Sequence, residues 1–153
     1  MSTRSLIGVQ SPTGAIQAIY CHFDGYPAGV GLTLQTHHNS AAAAEAIIAL
    51  GDLSYLAEKL APEAGQIHSF VFPAPGVTMA YNRDRGETGI KPRNYNSAEQ
   101  FLQEAPDDWA DYIYLFREGA WFYSPVHYSS DHGSETGTWQ ACAWIAEAVE
   151  NTI

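Results

Sequence analysis

Cysteine, basic residues and long apolar runs are what this chain has least of. Only Cys21 and Cys142 occur in 153 residues. They are too few and too far apart for a disulfide framework, and neither belongs to a C-x-x-C pair. Their apolar neighbours point instead to buried thiols in a reducing compartment. No uninterrupted apolar run reaches the roughly 18 residues that a membrane-crossing helix needs. Residues 1–5 lack the basic-then-apolar order of a secretion signal. A soluble cytoplasmic protein with no membrane partner is therefore expected. Lys and Arg number 7 against 17 Asp and Glu, for a net charge of −10. A field of that sign repels nucleic-acid backbones, so direct nucleic-acid binding is not expected. Gly29 and Gly31 do not open a dinucleotide fingerprint, because position 34 is Leu. A P-loop, H-E-x-x-H and paired-cysteine metal spacings are also missing, and no cofactor or metal is expected.

What is present describes a folded chain. The apolar fraction is 46% and the aromatic fraction 12%, with length enough for one domain spanning 1–153. The charge is unevenly spread. Residues 1–93 carry seven acids against six bases, whereas residues 94–153 carry ten acids against Arg117 alone. The last third therefore generates most of the negative field.

Turn chemistry and periodicity predict three hairpins. Strands over 6–10 and 15–21 flank Ser11-Pro12-Thr13-Gly14, and their apolar content suggests a central position. Strands over 67–72 and 77–81 flank Pro73-Ala74-Pro75-Gly76. Strands over 112–117 and 120–123 flank Glu118-Gly119. Helices are predicted over 30–38, after the Asn39-Ser40 cap pair up to Gly51, over 53–60 with Asp52 as cap, and from Asn96 or Ser97 through Leu102. Residues 138–150 read as an amphipathic helix, with Trp139, Cys142, Ile145 and Val149 recurring every three or four positions. The fold class that follows is α+β, a single domain with a mainly antiparallel sheet, three to four helices, and the C-terminal helix packed on the sheet.

Four constellations could carry chemistry. His22 and Asp24, two apart on a strand end, share a side, and with His37 and His38 they could ligate a metal. Cys21 is a candidate nucleophile, although His22 as its neighbour faces the other way. Arg83 and Arg85, with Lys91 and Arg93 downstream, could hold a phosphate or carboxylate. The aromatics Tyr112, Tyr114, Phe116, Trp121, Phe122 and Tyr123 are either core or, beside Asp107, Asp108 and Asp111, a protein-binding patch.

The segments Thr3-Arg4-Ser5-Leu6-Ile7-Gly8, Ile19-Tyr20-Cys21-His22-Phe23-Asp24-Gly25-Tyr26-Pro27 with Gly29-Val30-Gly31, and Ala80 to Glu87 resemble a family of small bacteriophage and prophage proteins marked by Y-C-H-x-D-G-Y-P. The Leu115-Phe116 to Trp121 hairpin belongs to the same likeness. The resemblance implies a setting in the host cytoplasm, where small acidic phage proteins often inhibit host defence. It carries no catalytic residues. The leading expectation is an acidic, non-enzymatic inhibitor, anti-CRISPR-like, of a host defence or nucleic-acid-handling complex with a basic surface. Its partner-binding residues would be Glu104, Asp107, Asp108, Asp111, Glu118, Asp131 and Glu135. The alternative is a small-molecule or metal-binding enzyme with a pocket of His22, Asp24, Tyr26, Arg83 and Arg85. No oligomeric state follows from the chain.

Overall fold

Pro12 presets one turn dihedral and Gly14 accepts a φ of 95°, so the first hairpin closes as its residue types dictate. The Ser11 amide donates to the Ala15 carbonyl at 2.8 Å and the Gly14 amide to the Ser11 carbonyl at 2.9 Å. In a computed structural model, residues 2–87, 91–105, 110–129, 133–136 and 138–142 are described. The hairpin strands are β1 (Ser5–Gln10) and β2 (Ile16–Cys21), paired antiparallel from Ser5 opposite Cys21 to Gln10 opposite Ile16. The other correctly read hairpin is β6 (Tyr112–Arg117) with β7 (Ala120–Ser129). Its turn residues Glu118 and Gly119 both take positive φ, 50° and 81°. That combination matches the right-handed strand twist.

The remaining strands are β3 (Leu53–Tyr55), β4 (Met79–Ala80), β5 (Arg93–Tyr95), β8 (Gly133–Thr136) and β9 (Gln140–Ala141). The sheet runs β4-β3-β2-β1-β6-β7-β8, with β5 on β2 and β9 on β7. Two pairings are parallel, β1 with β6 and β2 with β3; the other six are antiparallel. The α+β class and the central place of the first hairpin thus hold. Leu6 and Ile7 point to opposite faces and are both fully buried. A sheet covered on both sides explains why β1 is nearly continuous in apolar residues. One face packs Ile7, Ile19 and Trp121 against α2 (Ala41–Leu50), through Ala44, Ile47 and Ile48. The other packs Leu6, Ile16, Ile113 and Leu115 against Phe101 of α4 (Ala98–Glu104). Helix starts follow their caps: Ser40 Oγ accepts from the Ala43 amide and Ser97 Oγ from the Gln100 amide.

Three expectations change. Residues 53–60 are not a helix: Leu53 pairs with Cys21 on one side and Ala80 on the other. Asp52 caps nothing; its Oδ1 accepts from the Tyr20 amide at 2.9 Å and from Arg93 Nη1 at 3.2 Å. A helix of about two turns is marginal on its own, so β2's unpaired edge wins the segment. The second hairpin does not form. Only Met79–Ala80 is strand, and Tyr81–Arg85 is a short helix, α3, ended by Gly86 at φ 73°. Residues 67–72 instead make local bonds, among them the Phe72 amide to Ser69 Oγ at 3.1 Å. Finally, the predicted C-terminal helix begins wrongly. Gln140–Ala141 is strand, and residues 143–150 lie outside the described ones. The 30–38 helix is present as a π-type turn, Pro27–Gly31, running into α1 (Leu32–His37). No helix among the described residues is long and apolar enough to cross a membrane.

Candidate functional site

The motif after β2 is consumed by folding. Asp24 adopts φ 57°, and its carbonyl accepts from the Val30 amide at 2.8 Å. A Cβ on Gly29 would lie 2.3 Å from that same carbonyl oxygen. One on Gly25 would lie 2.9 Å from the backbone of Thr3 and Arg4. Both positions therefore demand glycine through close backbone approach. The buried Tyr114 hydroxyl donates to the Gly25 carbonyl at 2.6 Å, tying the turn to β6. Burial pushes the Cys21 thiol up to about 12, and it donates to the Phe23 carbonyl at 3.7 Å. A thiol held protonated at neutral pH is a poor nucleophile. Cys142, likewise buried, is also raised to about 12.

The candidate metal and pocket residues do not converge. His22 Nδ1 is 2.7 Å from the Tyr20 hydroxyl and its ring stands edge-on to Phe23. His38 donates from Nε2 to the Ala57 carbonyl at 2.8 Å, and burial lowers its pKa. His37 reaches instead toward Glu58 at 4.0 Å. Among the described residues no three His, Cys, Asp or Glu side chains gather as a metal would need. Asp24 accepts weakly from the Tyr26 hydroxyl at 3.4 Å. Arg83 and Arg85 diverge, as residues two apart on a helix must. Arg83 pairs with Asp84 and donates to the Leu60 and Thr78 carbonyls at 2.6 and 2.8 Å. Arg85 pairs with Glu87 and lies over the rings of Phe70 and Tyr81. Neither guanidinium is left facing a shared anion site.

Of the expected acidic set, Asp111 sits just before β6, where Oδ2 accepts from the Arg4 amide at 3.0 Å. Glu118 is at the far end of that strand, on the order of 20 Å away at strand rise. Glu104 is exposed at the end of α4. Asp107, Asp108 and Asp131 lie outside the described residues, as does the side chain of Glu135. The hairpin aromatics turn inward: Tyr114, Phe116, Trp121 and Tyr123 are buried, while Tyr112 and Phe122 are half-buried.

Two features escaped the sequence reading. One is the segment 56–78 between β3 and β4. Ile67, Val71 and Phe72 there are 74%, 76% and 68% exposed. With Pro73 and Pro75 they line a shallow groove of about 490 Å³. In the same segment the His68 side chain is fully buried: Nδ1 accepts from the Ala74 amide at 2.9 Å, and Nε2 donates to the Thr78 carbonyl at 3.0 Å. Asp84 Oδ2 lies 3.4 Å from the same Nε2 and accepts from the Ala80 amide at 2.8 Å. Burial alone would raise the Asp84 carboxyl. Arg83, the Ala80 amide and His68 outweigh it and hold the carboxyl below its ordinary value. The Arg83-Asp84-Arg85 string read as a candidate anion site, and nothing local in the sequence joins Asp84 to His68, sixteen residues earlier.

The other feature is a cavity of about 700 Å³ beside the β1–β2 turn, bounded by α2, α3 and β5. Its polar wall includes Gln10, Gln17, Glu45, Asn82 and Asn94. No periodicity could reveal it, because its residues come from five separate elements and the loops beside them.

In comparison with known proteins, no family model matches this chain, and neither does any curated protein or solved structure.

Proposed function

We propose that this chain is a non-enzymatic binding protein that acts by engaging another protein. The observation that carries the reading is the apolar tip formed by Ile67, Val71 and Phe72. Large apolar side chains at such exposure cost solubility unless a partner covers them, and three together resemble the anchors of an interface. The segment that carries the tip is tied down where His68 bonds the Ala74 amide and the Thr78 carbonyl, which lowers the ordering entropy that docking must overcome. A net charge of −10 favours a partner with a basic rim and speeds encounter at low salt. The finer reading is a phage-type, anti-CRISPR-like inhibitor of a host defence or nucleic-acid-handling complex in the host cytoplasm. It is supported by that charge and by the resemblance of the Tyr20–Pro27 and Ala80–Glu87 segments to phage and prophage proteins.

The test is a plaque assay on bacteria carrying an active nucleic-acid-directed defence. Wild-type protein is expected to restore phage plating at least tenfold, and Val71→Asp/Phe72→Asp to abolish the effect while remaining folded. Failure of the wild type across several such defences overturns the inhibitor reading. Full activity of the double variant removes the tip from it.

The enzyme alternative built on His22, Asp24, Tyr26, Arg83 and Arg85 has weaker support, because each of these side chains is already engaged locally and the two arginines diverge.

A further inference from the structure

We infer that the cavity beside the β1–β2 turn binds a small organic cation, an amine or guanidinium carrying several N–H donors. The inference is independent of the apolar tip. A volume of about 700 Å³ falls within the range of small-molecule sites. Pro12, Ala15, Ala49 and Pro92 supply apolar walls, suited to an alkyl chain.

The polar wall is made of side-chain amides and one carboxylate. The Gln10 side-chain nitrogen is already committed to the Gly14 carbonyl at 3.1 Å, and that of Asn94 to the Pro92 carbonyl at 3.4 Å. Neither bond uses the side-chain oxygen, which stays able to accept. Asn82 Oδ1 is shut away from solvent with no donor among the described residues. A buried acceptor left unpaired costs on the order of 1–3 kcal/mol, so a small turn of this amide toward a donor is favoured. Among the described lining residues, Glu45, exposed on α2, is the single ionisable acid or base apart from the Tyr95 phenol. A carboxylate with no cation among the described lining residues, flanked by amides able to turn their oxygens to a donor, selects an occupant that is both positive and donor-rich.

Glu45 also lines a second hollow of about 560 Å³ nearer the start of α2, on the same helix face, which shares Gln10 and Pro12 with the first. That hollow adds Glu118 and Arg117, the latter with its guanidinium carbon 4.7 Å from the Phe122 ring centre. Glu45 therefore stands between the two hollows, where an elongated diamine or guanidino-alkylamine can pair with it while its chain follows the apolar wall.

Such chemistry comes from two sources, a free amine or the basic side chain of a protein, and the test separates them. Agmatine and spermidine are titrated into the full-length protein by calorimetry, with NMR shifts of the Ile48 and Asn94 amides locating the site. Neutral butylurea serves as the uncharged control. Saturable binding with a Kd at or below about 1 mM is expected, weakened at least tenfold by Glu45→Gln and by the cavity-filling Ala49→Trp. A blocked Gly-Arg-Gly tripeptide forms the second arm. Tighter binding than agmatine assigns the site to a partner's arginine, and weaker binding to a free amine. The inference is overturned if no probe saturates, if butylurea binds equally, or if Glu45→Gln leaves affinity unchanged. The last result would mark the effect as attraction to the overall negative charge.

Discussion

The connection leaving β2 and the connection between β3 and β4 are both irregular, yet they use their side chains in opposite ways. The first holds a thiol, an imidazole, a carboxylate and aromatics. Its glycines press the backbone against residues 3–5 and against itself, its thiol is protonated and buried, and its carbonyls are occupied. The second reads in sequence as the end of a helix followed by a hairpin, with no reactive cluster. It buries a histidine and an aspartate, and it raises three apolar side chains into solvent. Reactive residue types therefore mark the scaffold here, and ordinary apolar ones mark the exposed surface. Where a polar side chain ends up depends on the backbone groups brought to it. A carbonyl or amide in need of a partner is satisfied before any ligand is.

That contrast can be broken most severely at Gly29. Gly29→Ala places a methyl group on the Asp24 carbonyl and is expected to cost at least about 3 kcal/mol, read by urea denaturation. A loss below about 1 kcal/mol would mean that the turn adapts freely and is not scaffold.

Next in size is Asp84→Asn, expected to cost about 2–3 kcal/mol at neutral pH by leaving Arg83 and His68 without their carboxylate. Because the folded-state pKa of Asp84 is depressed, its stabilisation is complete above the unfolded value near 3.8. It is lost as pH falls through the folded value. The gap between wild type and variant should therefore stay constant near neutrality and close below about pH 4. A gap that instead widened on acidification would contradict the pairing.

Tyr114→Phe should cost about 1–2 kcal/mol, since the Gly25 carbonyl loses a buried donor without loss of ring packing. Thermal denaturation compared with Tyr112→Phe, whose ring is half-buried, isolates that bond.

The smallest stability effect belongs to the tip. Phe72→Ser is expected to shift unfolding by no more than about 0.5 kcal/mol, because an exposed ring gives up little on truncation. A large loss there would show that the tip packs on something and would weaken the contrast.

Legibility followed the range of the interactions involved. The β1–β2 and β6–β7 hairpins were readable because Pro12, Gly14 and Gly119 set their turns within four residues. The Ser40 and Ser97 caps were readable because each bond spans three residues. Residues 53–60 were misread because Asp52 is a good local cap and Leu53, Leu56 and Leu60 have helical spacing. Their real partners, Tyr20, Cys21 and Ala80, are some thirty residues distant. Residues 67–72 were misread for the opposite reason: bonds only six and ten residues long, from His68 to Ala74 and Thr78, replace the strand pairing. Of the candidate site residues, His22, Asp24 and Tyr26 do share one turn. Their distance from a common pocket with Arg83 and Arg85 was set by the direction of a single helical turn.

By itself the sequence determined the α+β class, the strand pairs closed by tight turns, and the capped helix starts, since each depends on dihedral preference or on bonds a few residues long. Tertiary structure alone decided which polar groups were absorbed and which apolar ones were left outside. It also decided that Gln10, Glu45, Asn82 and Asn94 line one hollow. The reason is physical: desolvation and hydrogen-bond satisfaction are settled by whatever the fold brings within three ångströms, and that neighbour is seldom close in the chain.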